Sequence, residues 1–438
     1  MAFSRKDASL ASLTTGLLLL LAACGDASKY PQTTFEPVSE VGRLLNHLFW
    51  NTTWWTIGIM ILVEVLIVVI IFKFREKPDS PEPKHIHGHT GLEIAWTIIP
   101  SLIVLVILVP TVSGIFKTQA TPPKDALVVE VIGHQWWWEF RYPEYGVITA
   151  NELVLPTGRN VDLQVHSADV IHSFWVPRVS GKRDVNPQPR TVAAERARVN
   201  HIQFNIEQAG YYAGQCAEYC GDSHGLMRTA ILAMTPEDFT VWASSMEGGM
   251  PKTVVSQNAP MGAGTADKVP LGVNAAANTK EGGSLGAPPD TLKGPAFEDQ
   301  QKTTVSAPAE RTAVSPTAPT GAPAPGRGTY QDAGPGVPGD NTALVEEGKK
   351  LFTSRACVAC HTIKGTTAQG KIGPNLTRFG MRRGVGALIA KSTQENVEKW
   401  IHRPRDMKPG ALMPGANEGA GGMPATGLKD EEIKAIAA

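Results

Sequence analysis

Two cysteines, a histidine and a methionine fall at steps of four, four and three along Cys216-Ala217-Glu218-Tyr219-Cys220-Gly221-Asp222-Ser223-His224-Gly225-Leu226-Met227. Soft sulfur donors together with imidazole select copper or zinc over hard cations, and a long axial methionine is a habit of copper electron-transfer sites. A mononuclear blue-copper site takes one cysteine. Two thiolates can instead bridge two copper ions and spread one electron over both, so each bond changes little on redox. The residues leave other readings open. They could line one apolar helix stripe, although Gly221 and Gly225 each cost a helix about 1 kcal/mol relative to Ala. Cys216 and Cys220 could form a disulfide, or the group could hold zinc. Another ligand must come from elsewhere, and His172 supplies it within Asp169-Val170-Ile171-His172-Ser173-Phe174-Trp175-Val176-Pro177.

A second constellation is Cys357-Val358-Ala359-Cys360-His361. At C-x-x-C-H spacing, two thiols can form thioethers with haem vinyl groups while the adjacent histidine binds iron. Alone, the pattern also serves a redox dithiol or a zinc half-site. Its surroundings favour haem: Glu346–Phe352 reads as a helical start, and Ile372-Gly373-Pro374-Asn375-Leu376 resembles the haem-propionate loop of cytochrome c. Lys408-Pro409-Gly410-Ala411-Leu412-Met413-Pro414 resembles the distal loop of class I cytochromes c, which makes Met413 the expected sixth ligand. Met423, also followed by proline, is the second choice and Met407 the third.

These groups need elements to carry them. At 438 residues, two or more folding units are expected. Lys+Arg and Asp+Glu are equal at 41 each, so nothing points to a nucleic-acid partner. Residues 1–23 carry Arg5, Lys6 and an apolar run ending Leu21-Ala22-Ala23, as a secretory signal does. With Cys24-Gly25 the end resembles a bacterial lipoprotein box, which makes Cys24 the acylated first residue; plain cleavage leaving an idle thiol is the alternative. Two apolar runs then form a membrane hairpin within 24–120, with spans near 52–73 and 94–116. Trp50, Trp54 and Trp55 suit the outer interface, and Lys73, Arg75, Lys77 and Lys84 place the connection in the cytoplasm. Everything after Phe116 is then exported. Glu64 lies inside the first span, where an ionisable group faces a partner subunit or serves a proton path. Glu93 opens the second span at the cytoplasmic surface.

Between 121 and 246 the pattern changes to short runs rich in β-formers, Leu127–Ile132, Val161–His166, His201–Ile206 and Thr229–Met234, bounded by turn residues. They imply an all-β sandwich or barrel. Residues 247–341 are rich in Pro, Gly, Ala, Thr and Ser, a composition too poor in apolar surface to offset ordering entropy, and read as a linker. The haem-type segment fills 342–438; its last helical run follows Leu428-Lys429-Asp430-Glu431-Glu432, and Ala438 comes soon after. The cytochrome c domains that this segment resembles normally finish with a longer helix.

From the hairpin to Met234 the chain resembles subunit II of cytochrome c oxidase. The likeness rests on Gly133-His134-Gln135-Trp136-Trp137-Trp138, on the His172 segment and on Gly214-Gln215-Cys216 through Met227. The resemblance implies a two-helix transmembrane hairpin, a cupredoxin-like β-barrel with a binuclear CuA centre, and an all-α class I cytochrome c domain. Cys216 and Cys220 would bridge the coppers, and His172 and His224 would each bind one. Met227 and the Glu218 carbonyl would be weak ligands, with the Glu218 carboxylate facing a shared magnesium site. It also implies that electrons enter near Trp136, that Asp169 and Asp184 lie near the donor face and a subunit interface, and that Glu93 opens a proton-uptake path. Expected partners are oxidase subunits I and III and cytochrome c or another one-electron donor. The expected place is the bacterial cytoplasmic membrane, and the expected activity is proton-translocating reduction of O2 to water by the complex, not by this chain alone. An exported copper-delivery protein, or a subunit of a quinol-oxidising or nitric-oxide-reducing complex, is the alternative. Quinol-oxidising relatives keep the barrel but lack the copper ligands.

Overall fold

The computed structural model describes residues 30–75, 82, 87–187, 199–246 and 342–438. The expected signal peptide 1–23, Cys24 and the linker 247–341 lie outside the described residues.

Two long apolar helices lead the chain, α1 (Glu40–Lys73) and α2 (Thr90–Thr118). At 1.5 Å per residue, the 34 residues of α1 extend about 50 Å, well beyond a ~30 Å hydrocarbon layer. The excess lies at its start, where Asn46, His47 and Asn51 keep the first turns polar and the apolar stretch begins only after them. Ser39 caps α1 by accepting from the Gly42 N–H, which satisfies an otherwise orphaned donor. The same turn is fastened to the β domain: the Glu40 carboxylate accepts from Asn205 N at 2.9 Å, Val38 N donates to Arg178 O at 2.9 Å, and Arg43 pairs with Glu207. The apolar side chains along both helices are exposed in the isolated chain, as suits lipid or partner helices. Pro100 and Pro110 stand inside α2 without ending it.

The β domain comprises β1 (Leu127–His134), β2 (Trp137–Tyr142), β3 (Val147–Ala150), β4 (Glu152–Pro156), β5 (Asn160–Ser167), β6 (His172–Trp175), β7 (Arg183–Val185), β8 (Asn200–Asn205), β9 (Gly210–Cys216) and β10 (Arg228–Met234). They form two five-stranded sheets, ordered β3-β2-β1-β5-β8 and β4-β10-β9-β6-β7. Alternate residues of β1, Leu127, Val129 and Val131, point into the shared core with Leu163, Phe174 and Ile231. Trp138 meets Phe174 edge-on at 5.1 Å, filling the core immediately behind the soft-donor cluster. Helix α3 (Pro236–Met246) closes one end by burying Phe239 and Trp242.

The C-terminal unit has α4 (Thr342–Ser354), α5 (Cys357–Cys360), a two-residue-per-strand hairpin β11 (Gly384–Val385) and β12 (Ala390–Lys391), α6 (Gln394–His402), α7 (Pro404–Met407) and α8 (Asp430–Ala437). Val397 and Ile401 of α6 pack with Leu428, Ile433 and Ala437. Helix α4 crosses α8 at Gly348, where a Cβ would lie 1.8 Å from the Ala435 carbonyl oxygen. Only glycine permits that approach, and the Arg355–Glu432 ion pair ties the same two segments. Its regular elements are helical apart from the short hairpin, with loops between them.

Candidate metal centre and haem-attachment site

Cys216 ends β9, and the residues after it leave the sheet in a loop closed by the 3-10 turn His224–Leu226. The stretch is therefore not a helix stripe. Phe174 pairs with Cys216 across β6 and β9, which brings His172, two residues earlier on β6, to the loop. The donors meet in a chain. His172 Nδ1 lies 3.9 Å from Cys216 Sγ, Cys216 Sγ lies 3.8 Å from Cys220 Sγ, and Cys220 Sγ lies 3.6 Å from His224 Nδ1 and 3.9 Å from Met227 Sδ. The Glu218 carbonyl stands 3.3 Å from Cys216 Sγ. Among the described residues, His172, Cys216 and Cys220 are the group of metal-binding side chains whose ligand atoms lie within 4.8 Å of one another. Both cysteines are free thiols, so no disulfide competes here.

The shell around these donors orients them. Asp169 Oδ1 accepts from His172 Nε2 at 2.8 Å, which leaves Nδ1 aimed at Cys216. Asp169 also accepts from Gln135 N and Val170 N, each at 2.6 Å. Burial disfavours its charge, but the hydrogen bonds from His172, Gln135 and Val170 outweigh that and hold the carboxyl below its ordinary range. The hydrogen bond from Cys220 pulls the Cys216 thiol far down, with His172 assisting, and the same contact pushes the Cys220 thiol up. Trp136 Nε1–H and Gln135 Nε2–H both donate to the Cys220 carbonyl, at 3.0 and 2.8 Å.

Other expected residues lie apart from the cluster. The Glu218 carboxylate is partly exposed, 3.8 Å from Lys182 Nζ. Asp184 is exposed on β7. Glu64 and Glu93 are exposed along α1 and in the first turn of α2.

In the C-terminal unit, α5 places Cys357 and Cys360 one turn apart and half-buried. His361 Nδ1–H donates to the Pro374 carbonyl at 2.8 Å, so Nε2 is left for a metal. Burial lowers the His361 pKa and raises those of both thiols. Met423 Sδ reaches within 3.9 Å of Cys360 Sγ. Met413 packs at the edge of the α6–α8 apolar cluster, and Met407 lines a groove beside His402 and Asp430.

The geometry missed by sequence reasoning is the anchoring of His172 by Asp169 and of the Cys220 carbonyl by Gln135. Asp169 lies three residues before His172, and that spacing was the available signal.

Three family models match the chain: "Cytochrome C oxidase subunit II, transmembrane domain" over residues 35–113, "Cytochrome C oxidase subunit II, periplasmic domain" over 147–234, and "Cytochrome c" over 345–438. Cytochrome c oxidase subunit 2 of Alkalihalophilus pseudofirmus is 27% identical over 369 residues, covering 82% of this chain and 79% of that one. Probable cytochrome c oxidase subunit 2 of Rickettsia bellii is 30% identical over 257 residues, 52% of this chain and 90% of the relative. The chain belongs to the cytochrome c oxidase subunit II family. As a member of that family it is a subunit of an oxidoreductase complex and carries a cytochrome c unit after the copper-type domain. Quinol oxidase subunit 2 of Bacillus spizizenii is also similar, 30% identical over 251 residues, 56% of this chain and 73% of the relative.

Proposed function

We propose that the chain is the electron-input subunit of a respiratory cytochrome c oxidase, passing electrons from a one-electron donor through haem c and a binuclear copper centre to haem in subunit I, where O2 is reduced to water. The observation that carries this reading is the convergence of two thiols, two imidazoles and a thioether within 3.6–3.9 Å steps of one another. These donors fit two copper ions: Cys216 and Cys220 would bridge them, His172 and His224 would each bind one, and Met227 and the Glu218 carbonyl would be weak ligands. When bound, such a pair shares one electron and so accepts and releases it with little reorganisation. The chain's own residues prepare the site: Asp169 sets the His172 tautomer, and Gln135 and Trp136 hold the backbone of the Cys220 loop.

A covalently attached haem likewise fits Cys357, Cys360 and His361, whose Nδ1 is already committed to Pro374. For the sixth ligand, Met413 in the distal-type loop is our candidate, with Met423, whose sulfur stands 3.9 Å from Cys360 Sγ, as the alternative. The Glu218 carboxylate remains our candidate for a magnesium site shared with subunit I, and Glu93 for a proton-path mouth. Topology follows from the charge of the α1–α2 connection, with both C-terminal domains outside the bacterial cytoplasmic membrane and Cys24 as a lipid anchor. Subunits I and III are the proposed partners. The complete copper ligand set opposes a quinol-oxidising role, and a copper-delivery protein has no use for an attached haem.

Metal and haem analysis of the purified complex, with near-infrared absorption, tests this. Two coppers per chain in this subunit, one covalent haem and a near-infrared copper band are expected. A single copper with Cys216 and Cys220 crosslinked in the active complex overturns it.

A further inference from the structure

Three consecutive residues of the C-terminal unit close over Trp136. Lys408 is only 3% exposed, and its amino group donates to two carbonyls, that of Trp136 in the β domain and that of Gly386 at 3.0 Å in its own unit. The Pro409 carbonyl accepts from the Ser223 hydroxyl, in the loop that carries His224. Gly410 has φ +78°, and a Cβ there would stand 2.9 Å from the Trp136 ring and 3.0 Å from Asp222 Cβ. Trp136 in turn donates its indole N–H to the Cys220 carbonyl, so the loop touches the residue that touches the copper-type cluster. A second seam lies away from this one. Arg383 N donates to the buried Glu152 carboxylate at 3.1 Å, its guanidinium lies 5.0 Å from the Tyr211 ring centre, and Arg378 Nε donates to Ser245 O at 3.2 Å.

A buried amino group is costly unless hydrogen-bonded. The two partners of Lys408 come from two domains, so its arrangement is complete only while they are docked. We propose that Lys408 is the positioning residue that seats the cytochrome unit on the Trp136 face, so that the chain fills its own donor-docking surface. The roles of the two centres rest on the function proposed above; the seat itself rests on the contacts just described. A separate donor protein then delivers electrons to haem c and is kept from Trp136. The seat replaces a diffusional encounter by a held geometry, which is what tethering alone, through raised effective concentration, does not secure.

The test uses the intact oxidase complex with Lys408→Met, which keeps length but loses the donor, and Gly410→Val, which drives a side chain against Trp136. Haem and near-infrared copper bands report loading. Light-triggered injection of one electron onto haem c reports transfer to copper, and stopped-flow mixing with a reduced soluble mono-haem cytochrome c reports direct copper reduction. Both variants should load both centres, slow internal transfer at least tenfold and speed direct copper reduction. Unchanged transfer in the loaded variants overturns the proposal. Loss of haem or copper with unchanged transfer in the loaded fraction overturns it too, because that is a structural role. Failure of both variants to load overturns it too, because the Lys408–Gly386 bond and the left-handed turn at Gly410 then serve the fold of the cytochrome unit rather than its seat. A wild-type complex without the copper band would instead refute the proposed function.

Discussion

Replacing Asp169 by asparagine tests whether the copper-type site depends on its surroundings as the geometry requires. Asp169 accepts three short hydrogen bonds from nitrogen, from His172 Nε2 at 2.8 Å and Val170 N at 2.6 Å on one oxygen and from Gln135 N at 2.6 Å on the other, and a longer one from Ser167 Oγ at 3.4 Å. Asparagine retains one acceptor oxygen. Whichever way its amide turns, the NH2 faces an N–H donor. One unsatisfied donor costs about 1–3 kcal/mol, which should appear as lower stability of the metal-free domain. Loss of the carboxylate behind a ligating imidazole typically lowers metal affinity 10–100-fold, or about 1.4–2.7 kcal/mol. His172 is fully buried, so solvent offers its ring no substitute partner. Competition of the intact subunit against a copper chelator, followed by the near-infrared band, measures the affinity. A 10–100-fold weakening is expected in Asp169→Asn. A change of less than about twofold would refute the assignment of Asp169 as the anchor of His172.

Phe174→Ala should destabilise the β domain by about 3–5 kcal/mol, measured by denaturant unfolding, because Phe174 packs edge-on against Trp138 and lies opposite Cys216 across β6 and β9. The Glu152 carboxyl is pushed up to about 7, chiefly by burial, against the opposing pull of Arg383 and Arg382. A raised folded-state pKa contributes stability that is complete below the ordinary value of 4.5 and is lost as pH rises through about 7. Ionisation there costs roughly 3 kcal/mol, so melting temperature should fall between pH 5 and pH 8 and flatten in Glu152→Gln. Met413→Leu should abolish the sulfur-to-iron charge-transfer band of the oxidised haem while Met423→Leu preserves it; the reverse result would move the sixth position to Met423.

Composition and local pattern were enough for much of this protein. The soft donors of Cys216–Met227, the C-x-x-C-H segment and the two apolar helices are local signals, readable because ligand chemistry and hydropathy are properties of neighbouring residues. Strands β1, β5, β8 and β10 were legible because each lies largely within a run of β-forming residues bounded by turns. By contrast, β4 is buried along its whole length and β6 is four residues long, so neither offers a period to detect.

What no local pattern contains is which distant groups meet. His172 and Cys216 are 44 positions apart, and Lys408 and the Trp136 carbonyl are 272 apart. Strand pairing decided the first contact and domain docking the second. The sixth haem position was ranked by loop similarity alone, in favour of Met413, although Met413 and Met423 are both followed by proline. Side-chain type is written into the chain one residue at a time, whereas the burial that orients His172 and encloses Lys408 exists only once separate segments have packed.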